Sequence, residues 1–254
     1  MPVIGPKLNR KDVVKINITI DANLFRDCMK AVSGLVDEVN FKVTKEEMAL
    51  TAMDAANIAM VDFHLPNSSA IEWNVEEDGE EMALRLKDLN AVLRRVAKDD
   101  ILKLESKDNQ VHMHISGYKA FVIPMLELED KGQRLPVLQH QVNINLPLAR
   151  LADAIEDCSI AGESIGFDAN EERLLVDAKG DLTKAAVTLK GEDIQLEVET
   201  PGVARYALSY LNKIVMKISD KVQLSIGTDY PLKLAYKAEK FKISFILAPR
   251  VETE

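Results

Sequence analysis

The chain has 254 residues, 47% of them hydrophobic and 29% charged, with a formal net charge of −9. That length is comfortable for two cores of about 100–150 residues each, and no apolar run approaches the roughly 20 residues of a membrane span. An acidic total argues against nucleic-acid binding only if charge is spread evenly, because phosphate contact runs on Lys and Arg.

Residues 1–12 carry two prolines and a glycine and read as a loose tail with no signal-peptide core, so an intracellular location is expected. Alternating Val14, Ile16, Ile18 and Ile20 predict a strand over 14–20. Asp21 is placed to cap a helix over 23–37, with Leu24, Cys28, Ala31 and Leu35 inward and Arg26, Lys30 and Ser33 outward. Strands follow over 41–43, 48–53, 58–63 and 71–75, then an acidic turn over 76–81. In the stretch 86–104, Leu86, Leu89, Val92, Leu93 and Val96 form one apolar helical stripe. Lys87, Arg94, Arg95 and Lys98 cover the opposite face with no acidic residue among them. Asp99 and Asp100 end the helix, and strands are expected over 101–105, 110–116 and 118–127.

The segment 128–139 breaks the periodicity with a glycine, a proline and several charges and reads as a connector. It divides an N-terminal domain over 1–127 from a C-terminal domain over 140–254. The second half restarts the pattern. Val142-Asn143-Ile144 matches Ile18-Thr19-Ile20, and a helix over 148–158 sets Leu148, Leu151, Ala152 and Ile155 inward and Arg150 outward. Strands are expected over 165–168, 173–177, 184–189 and 195–199. A helix over 208–217 then repeats the first basic helix, with Leu211-Asn212 in place of Leu89-Asn90 and Lys213 and Lys217 outward. Strands over 222–226, 232–236 and 241–247 close the chain. The expected fold class is α+β: two similar domains of antiparallel sheet, each with two helices that leave one stripe exposed.

Enzymatic motifs are scarce. Gly162-Glu163-Ser164-Ile165-Gly166 fits G-x-S-x-G, but it follows a helix, precedes a strand, and has no histidine after it. A hydrolase built on Ser164 is therefore a remote reading, and a turn is the ordinary one. His112 and His114 share one strand face with no third ligand nearby, so no metal site is expected, and no cofactor motif occurs. The two cysteines, Cys28 and Cys158, lack metal-type spacing and read as reduced core residues. The positive signal is the set of basic residues on four helices. Aromatics are nearly absent from those stripes, so phosphate contact without base reading is the chemistry they suit.

Several motifs carry a family resemblance: LTAMDAANIAMVDFHL over 50–65, the stretch 86–104, Tyr210-Leu211-Asn212, Asp229-Tyr230-Pro231-Leu232 and Leu247-Ala248-Pro249-Arg250-Val251. With them the chain resembles the proliferating cell nuclear antigen family, the eukaryal and archaeal DNA sliding clamps, over nearly its whole length. The resemblance implies two clamp domains per chain and a non-enzymatic ring of three subunits around duplex DNA. Such a ring tethers polymerase, flap endonuclease and DNA ligase and is opened by the clamp loader, replication factor C. It implies a cytoplasmic location in an archaeon and a nuclear one in a eukaryote.

By resemblance, Arg26, Lys30, Lys87, Arg94, Arg95, Lys98, Arg150, Lys213 and Lys217 face DNA. Asp153 and Asp157 depart from the family's usual basic or polar lining, and Ser209 replaces a common basic residue. That departure keeps open a subunit of a heterotrimeric clamp, replicative or checkpoint-like. A partner-peptide pocket is implied at Met53, Asn57, Ile58, Met60, Leu135, Pro136, Pro231, Ile246, Leu247, Ala248 and Pro249. Subunit contact is implied between an edge strand with Tyr118, Ala120 and Val122 and another with Lys184, Ala186 and Thr188.

Overall fold

The computed structural model describes residues 14–128 and 133–250. The expected loose tail over 1–12, the connector residues Glu129, Asp130 and Lys131, and Val251 lie outside the described residues. The chain forms two compact units. Within the described residues the first holds 14–29, 37–50 and 65–128, and the second holds 30–36, 51–64 and 133–250.

In the first unit, β1 (Ile16–Asp21) sits between β5 (Glu72–Val75) and β7 (Ile101–Lys107) in an antiparallel sheet. β8 (Gln110–Ile115) and β9 (Lys119–Pro124) extend that sheet in the order β5-β1-β7-β8-β9. The alternation read in β1 is real: Ile16, Ile18 and Ile20 are buried while Asn17, Thr19 and Asp21 are not. β2 (Glu38–Val43) pairs with β6 (Glu80–Arg85) and β3 (Glu47–Met53). In the second unit, β4 (Ala59–Pro66) pairs with β18 (Phe241–Leu247). β17 (Leu232–Ala238), β16 (Lys221–Ile226), β10 (Val142–Pro147) and β14 (Gln195–Val198) continue outward from β18. A separate sheet runs β13 (Lys184–Leu189), β12 (Leu174–Lys179), β11 (Ser164–Ala169), β15 (Gly202–Ala207).

The duplication is visible in register. Ile18 lies between Leu104 and Trp73, and Ile144 lies between Leu224 and Leu196. The true match is therefore Ile18 with Ile144, two residues out of step with the sequence pattern. β15 has no counterpart in the sequence reading, because Gly202 and the mixed run Val203–Ala207 gave little alternation signal; it occupies the place that β6 holds in the first unit.

Among the described residues four α-helices complete the units: α1 (Ala22–Val32), α2 (Leu86–Leu93), α3 (Leu148–Ser159) and α4 (Leu208–Ile214). Asp21 Oδ1 accepts from the amides of Asn23 (2.9 Å) and Leu24 (3.0 Å), the cap its position suggested. α1 ends at Val32, five residues short of expectation, in a turn that includes Gly34. Its buried stripe is Phe25, Cys28, Met29 and Val32, while Leu24 is only half-buried. On α3 the buried alanine is Ala154 and not Ala152. α2 packs on β6 and β9, α3 on β10 to β13 apart from the connecting loops, and α4 on β15.

Candidate nucleic-acid and partner interfaces

The cationic stretch after β6 is a short helix followed by a wound turn. α2 stops at Leu93, so Lys87 is helical, whereas Arg94, Arg95 and Lys98 lie beyond its end. The helix tightens as it ends: the Arg95 amide donates to Val92 O (2.8 Å) and the Val96 amide to Leu93 O (3.1 Å). Asp99 takes a left-handed φ of 64°. Asp100 then closes the turn, its Oδ2 accepting from the Ala97 amide (2.8 Å) and its Oδ1 from the Ser116 hydroxyl (2.7 Å). These two bonds, with the nearby Lys119 ammonium, hold the Asp100 carboxyl below the usual carboxylate range. Lys119 Nζ also donates to Arg95 O (2.9 Å), tying the turn to β9. Cations at a helix C-terminus are favoured by the helix dipole.

Lys30, Lys87, Arg94, Arg95, Lys98, Lys213 and Lys217 are all exposed. Among the described residues none of them has a carboxylate within ion-pair distance. Lys217 lies past the end of α4, which finishes at Ile214. Two expected cations are already engaged. Arg26 pairs with Asp27 (2.9 Å) and donates to Asn23 Oδ1 (2.8 Å). Arg150 pairs with Asp193 (2.6 Å) and donates to Lys190 O (3.2 Å). The outward face of α3 presents exposed Asp153, Glu156 and Asp157.

The second group of residues surrounds the loop between β3 and β4. Ile246 pairs with Met60 and Leu247 with Ala59 across β18 and β4, and the Ala248 amide donates to Ile58 O (2.9 Å). Their burial separates them. Met60, Ile246 and Leu247 are 6%, 8% and 0% exposed, so they floor this region from within the sheet instead of presenting a surface. Met60 pairs with Ile246 on one face of the sheet and Ala59 with Leu247 on the other, and all four are buried, so both faces are covered here. Met53, Pro231, Ala248 and Pro249 are half-buried, and Asn57, Ile58, Leu135 and Pro136 are exposed.

Two groups that the pattern of apolar residues could not flag hold this region. Asp54 is a buried carboxylate whose Oδ1 accepts from the amides of Ile58 (2.7 Å) and Ala59 (2.7 Å). Its Oδ2 accepts from the Ala56 amide (3.2 Å) and from the Tyr210 hydroxyl (2.7 Å). Burial pushes this carboxyl up, yet the bonds from Ala59, Tyr210, Ile58 and Ala56 together outweigh it and hold it low. The loop's tight turn places Asn57 at φ 58°, a left-handed value asparagine tolerates. His140, at the end of the connector, contacts Pro231 O through Nε2 (2.9 Å) and stands edge-on to Tyr230. The 490 Å³ cavity lined by Trp73, Lys45 and Asn17 lies in the first unit and includes none of these residues.

β9 ends the five-stranded sheet and β13 ends the four-stranded one, so each has one edge without a strand partner among the described residues. On β9 and the turn before it, Tyr118 (70%), Ala120 and Val122 (49%) are exposed; on β13, Lys184, Ala186 and Thr188 are. Ser164 begins β11 and sits on no strand-to-helix turn; its hydroxyl accepts from Arg205 Nε (3.3 Å), which removes the geometry a nucleophile elbow needs. His114 Nε2 lies 3.8 Å from Glu105, and no metal-holding cluster occurs among the described residues.

Residues 17–120 match the family model of the proliferating cell nuclear antigen N-terminal domain, and residues 134–251 match that of the C-terminal domain. A DNA polymerase sliding clamp from Thermococcus gammatolerans is 31% identical over 240 residues, spanning 91% of this chain and 96% of its own. DNA polymerase sliding clamp 1 of Pyrobaculum aerophilum is 31% identical over 242 residues, spanning 92% of this chain and 97% of its own. The crystal structure of the Thermococcus kodakaraensis antigen superposes with a TM-score of 0.87 at 26% identity, covering 92% of this chain and all of that one. The A. fulgidus antigen, solved with the C-terminal region of FEN-1 bound, shares the fold at a TM-score of 0.86 and 20% identity, covering 94% of this chain and all of that one. The chain therefore belongs to the proliferating cell nuclear antigen family and is a DNA sliding clamp, a non-enzymatic processivity factor of DNA replication.

Proposed function

We propose that three copies of this chain close into a ring around duplex DNA, with the turn over 94–98 as its principal phosphate-facing element. The observation that carries this reading is the cluster of exposed cations at Lys87, Arg94, Arg95 and Lys98, with no carboxylate partner among the described residues, in an otherwise acidic chain. Lys30, Lys213 and Lys217 add to that surface. Such contacts are weak and screened by salt, with a Debye length of about 8 Å at physiological ionic strength, so they hold the ring near the duplex without fixing its position. Arg26 and Arg150 contribute less, because each already has an anionic or carbonyl partner in its own chain.

The ring closes by antiparallel pairing of β9 on one copy with β13 on the next. Both are unpaired sheet edges of six residues, and pairing satisfies their backbone groups while covering Val122 and Ala186. The connector over 128–139 separates the two clamp domains. The loop 53–58, with Pro231, Ala248, Pro249 and the connector residues Leu135 and Pro136, receives a partner peptide bearing a glutamine and paired aromatics. Polymerase, flap endonuclease, DNA ligase and replication factor C are the expected partners. Tethering raises the local concentration of an enzyme that releases its DNA end, so rebinding outruns escape.

A second reading, a subunit of a heterotrimeric clamp, is favoured by the acidic face of α3, which would weaken a ring built from three identical copies. Light scattering on the purified chain tests this directly. A stable mass about three times 28.3 kDa is expected; a monomer at micromolar concentration would favour the heterotrimer.

A further inference from the structure

The Tyr210–Asp54 bond joins two sites that the family assignment does not itself connect. Tyr210 lies on α4 next to Asn212 and Lys213, and Lys213 Nζ stands 5.0 Å from the centre of its ring. Its hydroxyl reaches away from that cationic surface to Asp54 Oδ2 at 2.7 Å. Asp54 in turn organises the whole turn that follows it. Ala56, Ile58 and Ala59 all donate their amides to its carboxylate, the Asp54 amide donates to Ala59 O (2.9 Å), and the Asn57 amide donates to Asp54 O (3.0 Å). Ile58 O then accepts from Ala248, so the shape of the turn also fixes the segment 246–249.

We propose that Tyr210 is a positioning residue for partner-peptide binding: through Asp54 it locks the loop 54–58 in the conformation that receives the peptide. This rests on the reading of that loop as part of the peptide pocket. The physical case is one of satisfaction. Four donors saturate a buried carboxylate, and removing the strongest side-chain donor leaves Oδ2 with one long amide contact at 3.2 Å. A charge-assisted bond to a buried carboxylate is among the stronger single hydrogen bonds. Without it the carboxylate is held on the Oδ1 side by Ile58 and Ala59 but only by the long Ala56 contact at Oδ2, and the left-handed turn at Asn57 loses part of its restraint. The peptide then has to order the loop itself, which costs affinity.

The test uses the full chain, a fluorescently labelled synthetic peptide carrying a glutamine and paired aromatics, and the variant Tyr210→Phe, which keeps the ring and its contact with Lys213. The peptide Kd is expected to rise about tenfold, with faster amide exchange at Ala56, Ile58 and Ala59 and a melting temperature lowered by about a few degrees. Asp54→Asn combined with Tyr210→Phe is expected to weaken binding no further than the worse single variant, because Tyr210 acts only through Asp54. Ile58→Asp serves as the control for the pocket. If Ile58→Asp abolishes binding while Tyr210→Phe binds as the unaltered chain does, the positioning role is overturned and the pocket stands. If Ile58→Asp also leaves binding intact, the pocket reading falls, and this inference with it.

Discussion

The segment from α2 to Asp100 and the helix α3 are anchored alike and present opposite charge. α2 buries Leu86, Leu89, Val92 and Leu93, and α3 buries Leu148, Leu151, Ala154, Ile155 and Cys158. Outward, the first offers Lys87, Arg94, Arg95 and Lys98, and the second offers Asp153, Glu156 and Asp157, with its one arginine paired to Asp193. Packing fixes the inner stripe of an amphipathic helix, because a lost methylene there is felt at once. It leaves the outer stripe to be set by what the surface meets. The two helices therefore share their mode of anchoring, while the difference between their outer faces carries the functional information.

The largest expected effect tests the shared part. Leu89→Ala and Leu151→Ala should each cost ~2–5 kcal/mol in chemical denaturation, since both side chains are fully buried. A cost under about 1 kcal/mol for either would mean that the two helices are not anchored alike. The next effect tests the difference. Combining Lys87→Glu, Arg94→Glu and Lys98→Glu should shorten clamp retention on circular DNA by about tenfold or more and flatten its salt dependence. Asp153→Lys with Asp157→Lys should do the reverse on α3, lengthening retention by about threefold and steepening the salt dependence.

A smaller, local effect should appear with pH. Asp100 is ionised more readily in the fold than in an open chain, so its contribution is full above the ordinary carboxylate pKa and is lost as pH falls through that value toward the lower folded one. Amide exchange at Ala97 should accelerate below about pH 4 before that at Ala154 does, because no such carboxylate closes α3. The smallest effect is expected from Arg150→Ala. Its half-exposed pair with Asp193 should be worth no more than about 0.5 kcal/mol, and DNA retention should be unchanged. Retention lost as fully as with Lys98→Ala would mean that Arg150 leaves Asp193 to reach phosphate.

Much of this was legible in the chain. Alternation located β1, the Asp21 cap was readable from its position, and the repeat of the first strand pointed to β10, though two residues out of register. The boundaries of α2 and α4 were less so. The apolar spacing continues through Val96 and Ile218, but the backbone has already left the helix, at α2 because Asp100 offers its carboxylate to the Ala97 amide. Such competition between side chain and helix is invisible to periodicity. Met60, Ile246 and Leu247 are buried although they lie on both faces of the β4–β18 pair, and apolar spacing does not show that both faces are covered. Asp54 and Tyr210 stand 156 residues apart, so no local pattern could join them.

The central claim is that this chain works as a clamp through the cationic turn after α2. Primer extension on singly primed circular DNA, with replication factor C, ATP and a partner polymerase, measures that most directly. The unaltered chain should lengthen products severalfold, and a variant combining Lys87→Ala, Arg94→Ala and Lys98→Ala should lose most of that gain while keeping its assembled mass. Equal stimulation by the variant and the unaltered chain would contradict the account.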